Sequence, residues 1–437
     1  MHASARRPRG GRFRRPLRHL AVRVAAAAAG AVAMIAPASA HAALASIRFG
    51  QAVSLKLPAN AGPGGHGFLS ASCAATGSCT LAGFYTDASS VEQPMVIREP
   101  GGHWARAAEL QLPSDATPGE GGAAESVSCT RPGSCVAAGG YEVSGHFRGF
   151  TATESHGTWR RAISVKLPSN AMPPGDASVG GIACTGPGNC VVVGSYLDNH
   201  GHTQGMQVTE HNGKWGRGRE LTPPANAGLA GGVFVTAVAC PKAGSCVAVG
   251  RYSDKAIHAR AMALAETNGS WHQATELRLP KDAAAVPLVS VASVACSAGG
   301  SCIAVGQYKD RLGQFLAMSL AETGGTWARG QHVTRVPANA AAQSGLFLGS
   351  AACAHAGPCL AAGDYRLKSG GTGATVLTRS GTSWASASQI RTPSDGATGA
   401  GQAALLAALG CSAGGFCAVA GQYQTSSRTT SLMAVSG

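Results

Sequence analysis

Fourteen cysteines divide this chain into seven pairs, each a cysteine followed six residues later by its partner. They are Cys73 with Cys79, Cys129 with Cys135, Cys184 with Cys190, Cys240 with Cys246, Cys296 with Cys302, Cys353 with Cys359, and Cys411 with Cys417. Successive pairs lie 55 to 58 residues apart, and no cysteine stands outside the series. A fixed period of this length marks a repeat architecture, in which each unit buries its apolar face only against its neighbours.

The stretch before the repeats is different in kind. Residues 1–42 carry eight arginines and no acid, then an apolar run from Ala21 to Pro37, then Ala38-Ser39-Ala40 and Ala40-His41-Ala42. Basic, apolar and small-residue regions in that order predict an export signal peptide. Arg14-Arg15 followed by Leu17 leaves Sec and twin-arginine export both open. The apolar run falls short of the roughly 20 residues a membrane span needs. The expectation is therefore a secreted or cell-envelope protein without a transmembrane anchor, its mature domain being residues 43–437. Without the leader, 27 basic and 21 acidic residues remain. Much of the whole-chain charge of +14 thus belongs to the leader, and it does not argue for nucleic acid.

An even, regularly spaced cysteine count in an exported chain implies structural disulfides. Zinc would require further ligands in each repeat, and no second cysteine pair or regularly placed histidine supplies them. Neither metal nor any other cofactor is expected.

The unit around the fourth pair shows what each repeat builds. Val235 to Cys240 is a short run of small and β-branched residues, Pro241 to Ser245 a turn, and Cys246 to Tyr252 a second strand. A polar loop leads to a third strand, Ala261 to Glu266. Asn268-Gly269 then forms a two-residue hairpin turn, whose type I′ geometry needs positive φ at both positions. Trp271 opens a fourth strand that runs to Leu279-Pro280. Four short antiparallel strands in about 56 residues make a propeller blade.

Other positions repeat in step. Tyr85, Tyr141, Tyr196, Tyr252, Tyr308, Tyr365 and Tyr423 each follow the second cysteine by six residues, and the six tryptophans open fourth strands. A Pro-x-Asn/Asp turn, built on Asn60, Asp115, Asn170, Asn226, Asp282, Asn339 and Asp395, follows each fourth strand. The last repeat stops where its fourth strand should begin, while Phe49 to Pro58 matches a fourth strand with no blade ahead of it. The fold class predicted is therefore all-β, a seven-bladed β-propeller closed by its N-terminal strand (residues 47–58), which completes blade seven.

Val238-Ala239-Cys240, Cys246-Val247-Ala248-Val249-Gly250 and Asn268-Gly269-Ser270-Trp271 resemble exported bacterial repeat proteins with Cys-x5-Cys-x-Ala-x-Gly units. The Gly-x-Trp turn more distantly resembles the Asp-box of sialidase-like propellers. The Ser-x-Asp part of that box is absent, with Glu in its place in five blades. The resemblance implies the propeller fold and carries over no catalytic residue.

A catalytic site in a symmetric ring must break the symmetry, so the acids that recur are set aside. Six remain: Glu92, Glu120, Glu125, Glu142, Asp176 and Asp364. A glycosidase needs two carboxylates as acid and base or nucleophile. If the chain is a glycan-processing hydrolase or lyase, Glu120, Glu125 and Asp176 are the candidates. His146, His200, His202 and His258, with Arg148 and Arg260, fall in loops between second and third strands. Together with Lys255, Lys309, Arg311, Arg366, Lys368 and Arg428 they predict a basic, histidine-containing rim suited to an anionic glycan or cell-wall polymer. The leading expectation is a monomeric, non-catalytic binding or scaffold module with no nucleic-acid partner. The alternatives are the glycan-processing enzyme and a purely structural envelope protein.

Overall fold

A computed structural model describes residues 47–437 apart from 229, 343–344, 355–356 and 428, and apart from the side chain of 386. The export-signal reading and Arg428 lie outside the described residues. In the fourth repeat, Val233–Lys242 pairs antiparallel with Ser245–Ser253, which pairs with Ala259–Thr267. Two short segments, Ser270–Trp271 and Thr275–Glu276, share the outer position. Seven such sheets follow one another, giving a seven-bladed β-propeller of four antiparallel strand positions per blade.

The seventh sheet takes three strands from the end of the chain and its fourth from the beginning. Val53 pairs with Ala434 and Ser54 with Met433. The Leu55 N–H donates to the Leu432 carbonyl at 3.0 Å. Joining the two ends within one sheet covers two strand edges that would otherwise be open to another chain.

All seven cysteine pairs are disulfides across the hairpin between first and second strands, with Cα atoms 4.0 Å apart. Cys73 is bonded to Cys79, Cys129 to Cys135, Cys184 to Cys190 and Cys240 to Cys246. Cys296 is bonded to Cys302, Cys353 to Cys359 and Cys411 to Cys417. Each bridge closes a very short loop and so contributes only about 2 kcal/mol on the chain-entropy estimate. The cysteines that open second strands also pack. Cys79, Cys302 and Cys417 are buried in apolar clusters, and Cys359 is partly buried against another. Cys135, Cys190 and Cys246 are buried in the same way, so the bridges pin their hairpins from within the core.

The small residues of the inner strands have a second function. Serine hydroxyls there accept backbone N–H groups from the next blade: Ser70 from Val127, Ser126 from Ile182, Ser293 from Ala351 and Ser350 from Leu409, each at 3.1 Å. Thr236 donates to the Val291 carbonyl at 2.6 Å. Polar contacts thus run from blade to blade around the channel, inside the apolar clusters that fill the wedges between sheets. One wedge packs Val249, Ala261 and Leu277 of blade four against Val291, Tyr308 and Met318 of blade five. No helix among the described residues is long and apolar enough to cross a membrane.

Candidate functional site

The face that carries the loops between second and third strands, and the turns from one blade to the next, is built on the seven tyrosines. All are buried to 1% exposure or less. The Tyr252 hydroxyl lies 2.8 Å from Asn226 Oδ1 and 2.9 Å from Glu276 Oε2, and Asn226 Nδ2 donates to the same carboxylate at 2.8 Å. Asn60 and Glu109 serve Tyr85 in this way, and Asn170 and Glu220 serve Tyr196. Where the turn residue is Asp, the outer-strand partner carries no carboxylate: Asp115 faces Ser164 and Asp282 faces His332. In blade seven Tyr423 bonds both Asp395 and Ser54. Blade six has Asn339 with Gln389. Six tyrosines therefore sit on one carboxylate each and none on two. Burial, reinforced by that carboxylate, raises the pKa of Tyr252 above the ordinary tyrosine value. These acids order the blade turns, and their hydrogen-bonding capacity is used in doing so.

The channel has a different origin. Every inner strand is interrupted at the same place, between residues such as Val235 and Ala237 or Ala124 and Ser126. The extra residue is Leu69, Glu125, Gly180, Thr236, Ala292, Gly349 or Ala407. A bulge re-aims one residue and leaves it unpaired, and six of these seven line a channel cavity of about 170 Å3. The glycine four residues after each second cysteine makes the bulge possible. A Cβ on Gly250 would collide with the Phe234 carbonyl oxygen, and one on Gly139 with that of Ala123. The motif glycine is therefore a spacing requirement.

Glu125 is the one ionisable residue among those lining that cavity. Burial, with a smaller push from the Glu92 carboxylate, raises its pKa from 4.5 to about 7. Glu92 is itself raised, by burial first and then by Glu142. Asp364 sits in the second strand of blade six, where burial raises its pKa to about 6.

The other expected site residues hold loops. Glu120 Oε1 accepts the Gly145 N–H at 3.0 Å. Asp176 accepts the Phe147 N–H at 3.1 Å and lies 3.2 Å from His146 Nδ1. No hydrogen bond or ion pair among the described residues joins either to Glu125. Asp198 Oδ1 accepts the N–H groups of His200 and His202, and Asp254 Oδ1 those of Ala256 and His258. The His202 and His258 rings stand 3.7 Å and 3.4 Å from those carboxylates. Arg260 pairs with Asp254 at 2.9 Å, and Arg148 with Asp115 at 3.1 Å. Loop closure thus engages much of the expected rim charge, and the His200 and His202 rings stand with centroids 6.2 Å apart. Among the described residues, no group of three or more His, Cys, Asp or Glu is placed to hold a metal ion.

Sequence reasoning missed a cavity of about 520 Å3 between blades three and four, on the disulfide-bearing face. Cys190, Cys240 and Cys246 lie in its wall, so two of the seven bridges border it. Its polar walls include Gln207, Glu210, His211, Arg217, Arg219 and Glu266. Glu210 and Glu266 are buried, and the Oε2 atom of each has no hydrogen-bond partner. The same atom is unpartnered in Glu99, Glu154 and Glu322. Elsewhere a side chain fills the corresponding wedge: Arg98 reaches Glu154 at 3.0 Å, and Trp384 Nε1 donates to Ser319 at 3.0 Å. Thr153 and Thr209 occupy the Arg98 position in the next two blades. That substitution was visible in the sequence once the blades were aligned.

These features define an all-β, seven-bladed propeller with a disulfide in every blade and one acid in its channel. No family model and no curated protein matches the chain. Solved structures share the fold. A protein of unknown function from Dyadobacter fermentans is 14% identical with a TM-score of 0.48, over 90% of this chain and 99% of that one. A polysaccharide lyase, an ulvan lyase bound to -[GlcA(1-4)Rha3S]-, is 9% identical with a TM-score of 0.52, over 87% and 95%. The Trypanosoma rangeli sialidase in complex with the inhibitor DANA is 11% identical with a TM-score of 0.47, and this chain covers 58% of its length. At such identities the likeness is one of fold.

Proposed function

We propose that the protein is an exported, non-catalytic binding module for an extracellular or cell-envelope saccharide, bound between blades three and four. The observation that carries this reading is the 520 Å3 cavity itself, the one place among the described residues where the recurring unpartnered carboxylate oxygens, here those of Glu210 and Glu266, border an unfilled wedge. Its size falls within the range of small-ligand sites. A buried acceptor without a partner is costly, and saccharide hydroxyls are donors of the right kind. Arg217 and Arg219 add donors for ring oxygens or for a carboxylate or sulfate substituent, which keeps an anionic glycan as the preferred class. The disulfide-pinned walls hold the cavity open before the ligand arrives. That the fold-level neighbour with a TM-score of 0.52 is a polysaccharide lyase is in keeping with this class of ligand.

The test is a glycan and cell-wall polymer array probed with the purified protein, followed by calorimetry on each hit. Arg219→Ala and Glu266→Gln should each weaken binding about tenfold or more, and added salt should weaken an anionic hit further. A blank array with folded protein, or affinity indifferent to both variants, overturns the reading.

One observation favours a second reading, glycan processing in the channel: Glu125 has a pKa matched to proton donation near neutral pH. An enzyme of that kind should lose turnover by about a hundredfold or more in Glu125→Gln while keeping its fold. A glycan panel left intact by the wild type removes this reading.

A further inference from the structure

Of the eleven large hydrophobic side chains exposed among the described residues, only Val53 and Ile163 lie on outer strands. Leu69 lines the channel, Phe347 and Leu405 lie on inner strands, and the other six lie in or beside the loops of the loop-bearing face. Two of these, Ile257 at 67% exposure and Leu312 at 82%, stand at the tips of loops between second and third strands, and Phe147 at 59% stands at the start of a third strand beside such a loop. Each has basic neighbours in its own segment. His146 and Arg148 flank Phe147, Lys255 and His258 flank Ile257, and Lys309 and Arg311 flank Leu312. Beside Phe147 the cations are already paired, His146 with Asp176 and Arg148 with Asp115, and Glu142 stands opposite, whereas the acids of the other two loops are turned inward. Asp254 and Asp310 are buried and accept the N–H groups of their own loops.

Ile257 adds an independent observation. Its φ is +63°, a left-handed conformation that costs a β-branched residue more than any other. The same turn position is Gly201 in blade three, Gly313 in blade five and Gly370 in blade six, each with positive φ. Blade one has Ser90 there, at φ +66°, and blade four alone among the five places a bulky β-branched, solvent-exposed side chain at this position. Strain without structural return points to function.

We infer that this face docks on an anionic lipid bilayer, with Phe147, Ile257 and Leu312 inserted among the acyl chains and the flanking cations at the headgroups. The three apolar side chains come from three different blades, and each stands beside a cation of its own segment. A soft, planar surface with negative charge outside and hydrocarbon beneath can receive separated tips simultaneously. The saccharide cavity opens on the other face, so the two proposals stand or fall separately.

The experiment is co-sedimentation of the purified protein with vesicles of equal parts phosphatidylglycerol and phosphatidylcholine, and with pure phosphatidylcholine, at low and high salt. Binding should be confined to the anionic vesicles and weaken with salt. It should fall roughly tenfold for each tip removed in Phe147→Ser, Ile257→Gly and Leu312→Ser. Lys309→Ala with Arg311→Ala should weaken it while leaving melting unchanged. Ile257→Gly separates docking from folding, because relieving the strained φ should raise the melting temperature while binding falls. No sedimentation of the wild type, or sedimentation unaffected by removing all three tips, overturns the inference.

Discussion

Replacing Glu125 by Gln tests whether the bulge delivers an acid into a poorly solvated channel. Burial raises the Glu125 pKa from 4.5 to about 7. A carboxyl raised in this way supports the fold fully below its unfolded pKa. That support is lost as pH rises through the window from 4.5 to about 7, because the unfolded chain releases its proton first. At about 1.4 kcal/mol per pKa unit, the full shift corresponds to roughly 3 kcal/mol. Water reaching the channel mouth lowers that, so about 2 kcal/mol is expected. A domain of about 390 residues has an unfolding entropy near 0.8 kcal/mol/K, so the effect is about 2–3 °C in Tm. Glu125→Gln should therefore melt about 2–3 °C above the wild type at pH 8 and within about 1 °C of it at pH 5. Removing the Glu92–Glu125 repulsion acts in the same direction. Calorimetry at the two pH values is the assay. A variant that melts below the wild type at pH 8, or by the same interval at both, would mean that donors hold the carboxylate in its charged form.

Two further substitutions probe the frame. Asn226→Asp should put a second carboxylate beside Glu276 at the Tyr252 hydroxyl and remove the Asn226 donor, costing about 1–3 kcal/mol in denaturant melts. Adding Glu276→Ser, which reproduces the Asp115 and Ser164 arrangement of blade two, should recover most of that loss. Gly250→Ala should cost about 3 kcal/mol or more by driving a Cβ into the Phe234 carbonyl, with the loss read as a lower midpoint in urea.

The fold was legible because its determinants repeat. Cysteine pairs six apart imply a hairpin, Asn268-Gly269 a tight turn, and the unmatched Phe49 to Pro58 a closing strand, each readable from local spacing. The chemistry depends on contacts between distant positions. Asn226, Tyr252 and Glu276 recur in step, but that they meet at one hydroxyl follows only from the register of the second and outer strands. Identical spacing also hid a difference among the bridges. Cys190 and Cys246 pack into apolar clusters just as Cys79, Cys302 and Cys417 do, yet they also border an open cavity, and only the filling of each wedge sets them apart. Glu125 could be singled out as an acid that does not recur, yet the bulge that aims it into the channel leaves no mark on its own strand. The mark lies on Gly139, four residues after Cys135, and its meaning appears only when the opposing carbonyl is in place. What the sequence could not show about the expected histidine-containing rim is that the loops of blades three and four each bring an aspartate, placed two or four residues before the histidines, whose carboxylate is used in closing the loop.

Symmetry itself then separates frame from function. Any residue present in most blades can be assigned to the blade: the tyrosines to their turns, the glycines to the bulges, the cysteines to the hairpins. Three departures from the repeat bring no packing or hydrogen bond in return. They are an acid in the channel at Glu125, a strained isoleucine where blades three, five and six have glycine, and a wedge left unfilled between blades three and four. Natural sequences break local rules chiefly where function compensates for the cost. Ile257 lies on one face and the open wedge on the other, so a ring that uses both would hold a bilayer with its loops and leave the cavity proposed for a saccharide facing outward. The geometry therefore predicts that a vesicle-bound protein retains its full affinity for a soluble glycan ligand, which calorimetry with and without vesicles can measure directly.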